Sequence, residues 1–184
     1  MTPDTAGYSL TARTFHWVTA ALVLMAIPMG IIMNNVGPGP LQDFLFNLHR
    51  SIGAVLLPIV AARLIYRIGH PAPALPADIP PLQQFAAHAT HAALYFLLIV
   101  QPLVGWVATS AYRAPITLFW LVPLPPIWPE DRAFSERLFI VHWLIGITLA
   151  LLVIAHIGAA LFHHFVRRDD ILLRMLYGTP RRAG

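Results

Sequence analysis

From Leu138 to Phe162 no side chain carries a formal charge, and the only ionisable groups in this stretch are His142 and His156. A run this long and this apolar has few structural solutions. In a hydrocarbon layer its backbone N–H and C=O groups find no water, so they must bond one another, and the segment is predicted to be a membrane-crossing α-helix. Fourteen residues separate the two histidines, which is about 21 Å of helix and close to four whole turns. Both imidazoles therefore share one face at two depths. An ionisable side chain buried in lipid is costly and marks a functional site by default.

The rest of the chain agrees with a membrane setting. Its 184 residues are 58% hydrophobic and 11% charged, with a mean hydropathy of +0.67; a soluble domain carries about 25% charged residues. Three further apolar stretches are long enough to span, at about residues 11–34, 44–68 and 82–109, and the fourth span covers about 134–166. The predicted architecture is an all-α integral membrane four-helix bundle, a single domain over residues 1–184. Pro28, Pro58 and Pro102 lie inside the first three spans and are candidate kinks, whereas the fourth has no proline and reads as one straight helix. The first apolar run is too long for a cleavable signal peptide and no small-residue cleavage site follows it. Asn34 to Pro40 reads as a tight turn. His70 to Pro81, with five prolines, reads as a stiff extended connector. Tyr112 to Arg132, which carries Trp120 and Trp128, reads as an ordered interfacial loop.

Orientation follows from the arginines, since the chain has no lysine. Four spans put both termini on one side. Arg13, Arg63, Arg67, Arg167, Arg168, Arg174, Arg181 and Arg182 share that side; Arg50, Arg113, Arg132 and Arg137 lie on the other. Eight against four predicts cytoplasmic termini, with the first turn and the Trp-rich loop in the periplasm. The terminal-side arginines read as topology and lipid-headgroup anchors, and no nucleic-acid partner is expected.

With depths assigned, the histidines fall into two levels. His49 in the second span and His142 in the fourth lie near the periplasm; His16 in the first and His156 in the fourth lie near the cytoplasm. A cofactor that takes one imidazole from each of two helices, at each of two depths in a bundle core, is haem. The absence of cysteine excludes disulfides, iron–sulfur clusters, thiolate ligation and covalent haem attachment. His88 and His91 on the third span are rival ligands at the cytoplasmic level. Gly53 and Gly146, each four residues after a periplasmic candidate, leave flat space for a porphyrin face. His163, seven residues after His156 and close to the same face, is placed to reach a quinone head group. Arg13, one turn before His16, is a candidate propionate partner. Arg50 and Arg137, near His49 and His142, read as propionate neutralisers, as attractors of an anion, or as partners of Asp43, Glu130, Asp131 and Glu136. Met25, Met29 and Met33 form an i, i+4 stripe that reads as packing.

Taken together, Arg13-x-x-His16-Trp17, His49-x-x-x-Gly53, His88-x-x-His91 leading to Tyr95, and His142 with His156 followed by His163-His164-Phe165, Asp169 and Leu173-Arg174-Met175 resemble the bacterial cytochrome b561 family over nearly the whole chain. Its members are short four-helix dihaem membrane cytochromes. The resemblance implies two non-covalent b haems, ligated by His16 with His156 and by His49 with His142, and no ligand role for His88 or His91. Some members resemble superoxide oxidases that reduce ubiquinone; related cytochromes are membrane subunits of hydrogenases and dehydrogenases. The expectation is an oxidoreductase of the bacterial inner membrane, carrying electrons from a periplasmic donor, superoxide, to ubiquinone, with Arg50 and Arg137 steering superoxide and His163 at the quinone. This chain departs from the pattern in having no lysine, so a cationic quinone-side role falls to arginine or histidine. One rival is an electron-relay subunit that takes electrons from a periplasmic redox protein, as the anchor of a dehydrogenase or hydrogenase. Another is a histidine-lined transporter of a divalent metal, against which the spans offer no interior carboxylate.

Overall fold

The computed structural model describes residues 7–178; Arg181 and Arg182, counted above among the terminal-side arginines, lie outside them. Four long helices, α1 (Leu10–Ile32), α2 (Pro40–Gly69), α3 (Pro81–Tyr112) and α4 (Arg132–Phe162), dominate the fold, and each is long and apolar enough to cross a membrane. Their starts are chemically marked. Ser9 Oγ accepts from the Ala12 N–H at 3.2 Å and caps α1. Asp131 Oδ1 accepts from Phe134 N–H at 2.9 Å and caps α4. Helix α2 starts four residues before its apolar run because Pro40 sits in its first turn, where a missing N–H costs nothing; α3 likewise opens on Pro81.

The fourth span is α-helical only as far as Phe162. After Phe162 the chain widens into a π-helical turn, His163–Arg167, and stops at Arg168 with a left-handed φ of 57°. A short helix, α5 (Ile171–Leu176), then folds back against the start of α1. The Arg13 guanidinium donates to the Leu176 carbonyl, and the Trp17 indole donates to the Met175 carbonyl at 3.2 Å. Arg174 reaches Ala74 O at 2.8 Å and Arg167 reaches Asp78 at 2.9 Å, which ties the proline-rich connector to the same end.

At the other end the Trp-rich loop holds a small antiparallel hairpin, β1 (Ile116–Leu118) and β2 (Val122–Leu124), absent from the sequence expectation. Phe119 and Trp120 turn it with φ of 46° and 62°. Two buried serines pin this cap to the helices, and a third, Ser135, ties α4 to α3 beneath it. Ser51 Oγ accepts from Phe119 N–H and donates to Asn47 O, both at 2.8 Å. Ser110 Oγ accepts from Ile127 N–H at 3.1 Å, and Ser135 Oγ donates to Ala108 O at 2.8 Å.

Val23, Leu56, Val60, Leu98 and Leu149 form the buried core, with all four long helices contributing. Leu149 stands midway between His142 and His156 along α4, so the core is an apolar layer between the two histidine levels. Outward-facing Ile140, Leu151 and Ile154 are more than 60% exposed. In water such a girdle would aggregate; its solvent is lipid. The chain is a helical membrane bundle.

Candidate functional site

Each histidine level is built from one helix of the α1–α2 pair and from α4. At the hairpin-side level His49 (α2) and His142 (α4) have ring centroids 6.1 Å apart. At the terminus-side level His16 (α1) and His156 (α4) are 6.2 Å apart. An imidazole nitrogen binds a metal at about 2 Å. Two imidazoles on opposite sides of one ion therefore have ring centres about 6 Å apart, once ~1 Å from each nitrogen to its ring centre is added. Both pairs have that separation. His91 lies 5.2 Å from His156, about 1 Å too close for the same arrangement. It and His88 are exposed, each with Nδ1 against the carbonyl one turn back, Ala87 and Gln84, at 2.7 Å. Among the described residues no three His, Cys, Asp or Glu side chains converge as a metal cage, so the arrangement suits a macrocycle that brings its own equatorial ligands.

The hairpin-side pair is held by an arrangement that appears twice. His49 Nδ1 donates to Ala26 O of α1, and His142 Nδ1 to Gln101 O of α3, each at 3.1 Å. Four residues beyond each carbonyl is a glycine whose missing side chain makes room for the ring. A Cβ at Gly30 would stand 3.1 Å from His49 Cε1, and one at Gly105 would stand 2.9 Å from His142 Cε1. Donation from Nδ1 leaves Nε2 with a free lone pair and fixes the ring, as a metal-ligating imidazole requires. The Gln101 amide also donates to His142 O at 2.8 Å and touches Gly146. Gly53 has open space beside it, with only Pro102 at 4.0 Å. Sequence reasoning singled out the glycines of the ligand helices and missed those of the neighbouring ones. The available signal was a glycine closely following a proline inside a span, as in Pro28-x-Gly30 and Pro102-x-x-Gly105.

At the terminus-side level the arginine that meets His16 is Arg63, with its guanidinium 2.9 Å from Nδ1 and stacked 5.2 Å from the Tyr95 ring centre. Arg13, the arginine favoured from sequence, spends one donor on Leu176 O and keeps a buried Nε without a partner. His163 lies in the π-turn, its Nδ1 2.5 Å from Asp169, which also takes a contact from Arg167 at 3.4 Å. On the hairpin side Arg50 donates to Pro115 O at 3.0 Å and covers the Phe46 ring. With Asp43, Asn47 and Trp120 it lines a cleft of about 720 Å³. Arg137 is exposed on α4 and does not line that cleft.

Membrane helices that present facing histidines at two depths, one pair with Nδ1 locked and glycines clearing the rings, have the features of a b-type cytochrome. The residues fit a haem at each pair, held without a covalent link. A family model described as prokaryotic cytochrome b561 matches residues 7–178, and the chain belongs to that family of haem b membrane electron-transfer proteins. It is 29% identical over 173 residues to cytochrome b561 homolog 2 of Escherichia coli K12, covering 92% of this chain and 90% of the relative. It is 26% identical to the probable superoxide oxidase CybB of Yersinia pestis, over 96% of this chain and 98% of that one. Cytochrome b561 homolog 1 of Escherichia coli K12 is 27% identical, over 95% and 98% of the two chains.

Proposed function

We propose that this chain is a single-domain dihaem cytochrome of the bacterial inner membrane, with cytoplasmic termini, that oxidises periplasmic superoxide and reduces ubiquinone. The observation that carries the reading is the two stacked imidazole pairs with ring centres 6.1 and 6.2 Å apart. His49 with His142 would hold one haem near the periplasm, and His16 with His156 another near the cytoplasm. A haem held by these histidines would supply reversible one-electron transfer. The Nδ1 bonds to Ala26 O and Gln101 O keep the periplasmic pair in one tautomer. Gly53 keeps bulk away from its ligand helix, whereas the space beside Gly146 is taken by the Gln101 amide, and the unpartnered Nε of Arg13 offers a donor to a propionate.

Chemical balance fixes what the two ends must do. Two superoxide ions give up one electron each and leave as dioxygen; ubiquinone takes both electrons and two protons and leaves as ubiquinol. Arg50 and Arg137 are proposed to steer the anion, because a basic, low-dielectric approach raises association rates by roughly 10 to 10³. His163 is proposed at the quinone head group, with Asp169 orienting its ring. The likeness to a relative named as a probable superoxide oxidase supports the choice of donor.

The test has two parts. A pyridine haemochrome assay should give two haems per chain. His49→Ala and His142→Ala should each remove the same haem, and His16→Ala and His156→Ala the other; loss of a haem in His91→Ala but not in His16→Ala overturns the cytoplasmic assignment. Superoxide should reduce the wild-type haems at a rate that falls with ionic strength, and Arg50→Gln with Arg137→Gln should slow it and flatten that dependence. If superoxide leaves the haems oxidised, the protein is instead a relay subunit fed by a periplasmic redox partner.

A further inference from the structure

A second cavity, about 280 Å³, opens at the terminus-side end of the bundle. Its walls come from the start of α1, the last turns of α2, the connector after it, and Tyr95 of α3. Arg63 and Arg67, one turn apart on α2, both line it, and no carboxylate among the described residues does. Among the described residues neither arginine has an acidic partner; the ion pairs there use Arg113 and Arg167. Each is stacked on a tyrosine ring instead, Arg63 at 5.2 Å over Tyr95 and Arg67 at 5.9 Å over Tyr8.

Stacking holds a guanidinium by its face and leaves the N–H donors in its plane free. The Arg63 guanidinium lies 2.9 Å from His16 Nδ1; an imidazole that ligates a metal through Nε2 carries its proton on Nδ1 and cannot accept there, so once His16 ligates, this N–H of Arg63 also needs an anion. Ser9 and Tyr66, also at the rim, are bonded to each other at 2.9 Å and leave the two guanidinium edges as the strong donors of the cavity. Two cations drawn into the end of a membrane bundle with no anion to meet them are expensive, since a desolvated charge needs a paired opposite charge to recover its cost. The arrangement is therefore that of a site completed by an anion, and planar, forked donors suit a carboxylate or a phosphate.

We propose that this cavity holds the propionate carboxylates of the cytoplasmic haem, with Arg63 and Arg67 as their counter-charges. The assignment rests on the dihaem reading above. What selects a propionate over a lipid phosphate is Arg63, which bridges the cavity and the ring of His16. A carboxylate bound here belongs to whatever His16 holds. The pair also sets the haem's electrostatics. Two positive charges beside it favour the reduced state, and their removal leaves the propionate charge uncompensated, which favours the oxidised state. The arginines therefore raise the reduction potential, and neutralising either one lowers it.

The experiment is a potentiometric titration of the purified holoprotein, followed by its reduced spectrum, on wild type, Arg63→Gln, Arg67→Gln and Arg63→Lys. It uses chemical mediators and neither superoxide nor quinone, so it is blind to errors in donor or acceptor. Haem and lipid phosphorus per chain are measured on the same samples. One midpoint should fall in Arg67→Gln and fall further in Arg63→Gln, and partly recover in Arg63→Lys, while the midpoint of the haem lost in His49→Ala stays fixed. Loss of only the cytoplasmic haem in Arg63→Gln gives the same support, with Arg67→Gln carrying the potential shift. Two unchanged midpoints with both haems retained overturn the proposal. Unchanged midpoints together with the loss of bound phospholipid assign the cavity to a lipid phosphate instead. A wild-type protein that holds only one haem sinks the dihaem reading itself, and is seen before any variant is made.

Discussion

At the scale of single residues, the hairpin-side histidines show how little freedom a ligand is given. Each ring sits on a backbone carbonyl and against a glycine of another helix. Gly105→Ala would put a Cβ 2.9 Å from His142 Cε1, inside van der Waals contact, on a ring that cannot turn away without losing the Gln101 bond. Overpacking of this kind costs about 1–3 kcal/mol, or roughly 5- to 150-fold in affinity for whatever the ring ligates. Gly105→Ala should therefore weaken retention of the haem proposed between His49 and His142, measured as haem per chain during purification. Gly30→Ala, with 3.1 Å of clearance, should be milder, and the cytoplasmic haem should be untouched by both. The histidines themselves were legible in sequence because an imidazole in an apolar run has few roles besides ligation and hydrogen bonding. The glycines opposite them were not, because a glycine's neighbour across a bundle is set by rotation and depth of two helices, and one chain's periodicity gives neither to within a side chain.

At the scale of elements, the four helices could be read from apolar length, and their starts from proline and cap residues. The hairpin could not. Its strands are three residues each and one contains Pro123, so no alternation develops and the aromatic content reads as an interfacial loop. What orders it is tertiary: Ser51 and Ser110 are ordinary small residues in sequence and become anchors only when the cap lies on them. Ser51→Ala would leave the Phe119 N–H without its acceptor in a partly buried position, at about 1 kcal/mol. Limited proteolysis should then cut between residues 113 and 131 faster than in wild type, with both haems still bound. Equal cutting rates would show that the cap is held by its aromatic contacts, such as Phe44 on Trp120. The π-turn at His163 was equally hidden, since the fourth span looks uniform to its end; the wider turn coincides with the residue that pairs with Asp169.

At the scale of the whole molecule, orientation rests on charge. The hairpin end spends its arginines locally, Arg50 on Pro115 O, Arg113 on Glu130 and Arg132 on the Tyr112 ring. The other end carries the surplus, which on the proposed orientation the membrane-insertion bias would retain in the cytoplasm. A reporter active only in the periplasm should be silent after Gly184 and active when inserted near Pro125; the reverse would turn the proposed direction of electron flow around. Between the ends lies the layer of Val23, Leu56, Val60, Leu98 and Leu149, none more than 6% exposed. A water molecule needs two or more polar partners to stay in a protein interior, and these side chains offer none, so no file of water can thread the bundle from one face to the other. The layer is an insulator for ions and protons. A cell that stores energy as voltage across this membrane can carry many copies of such a protein without a short circuit, and any charge that passes through the chain must travel as a bare electron.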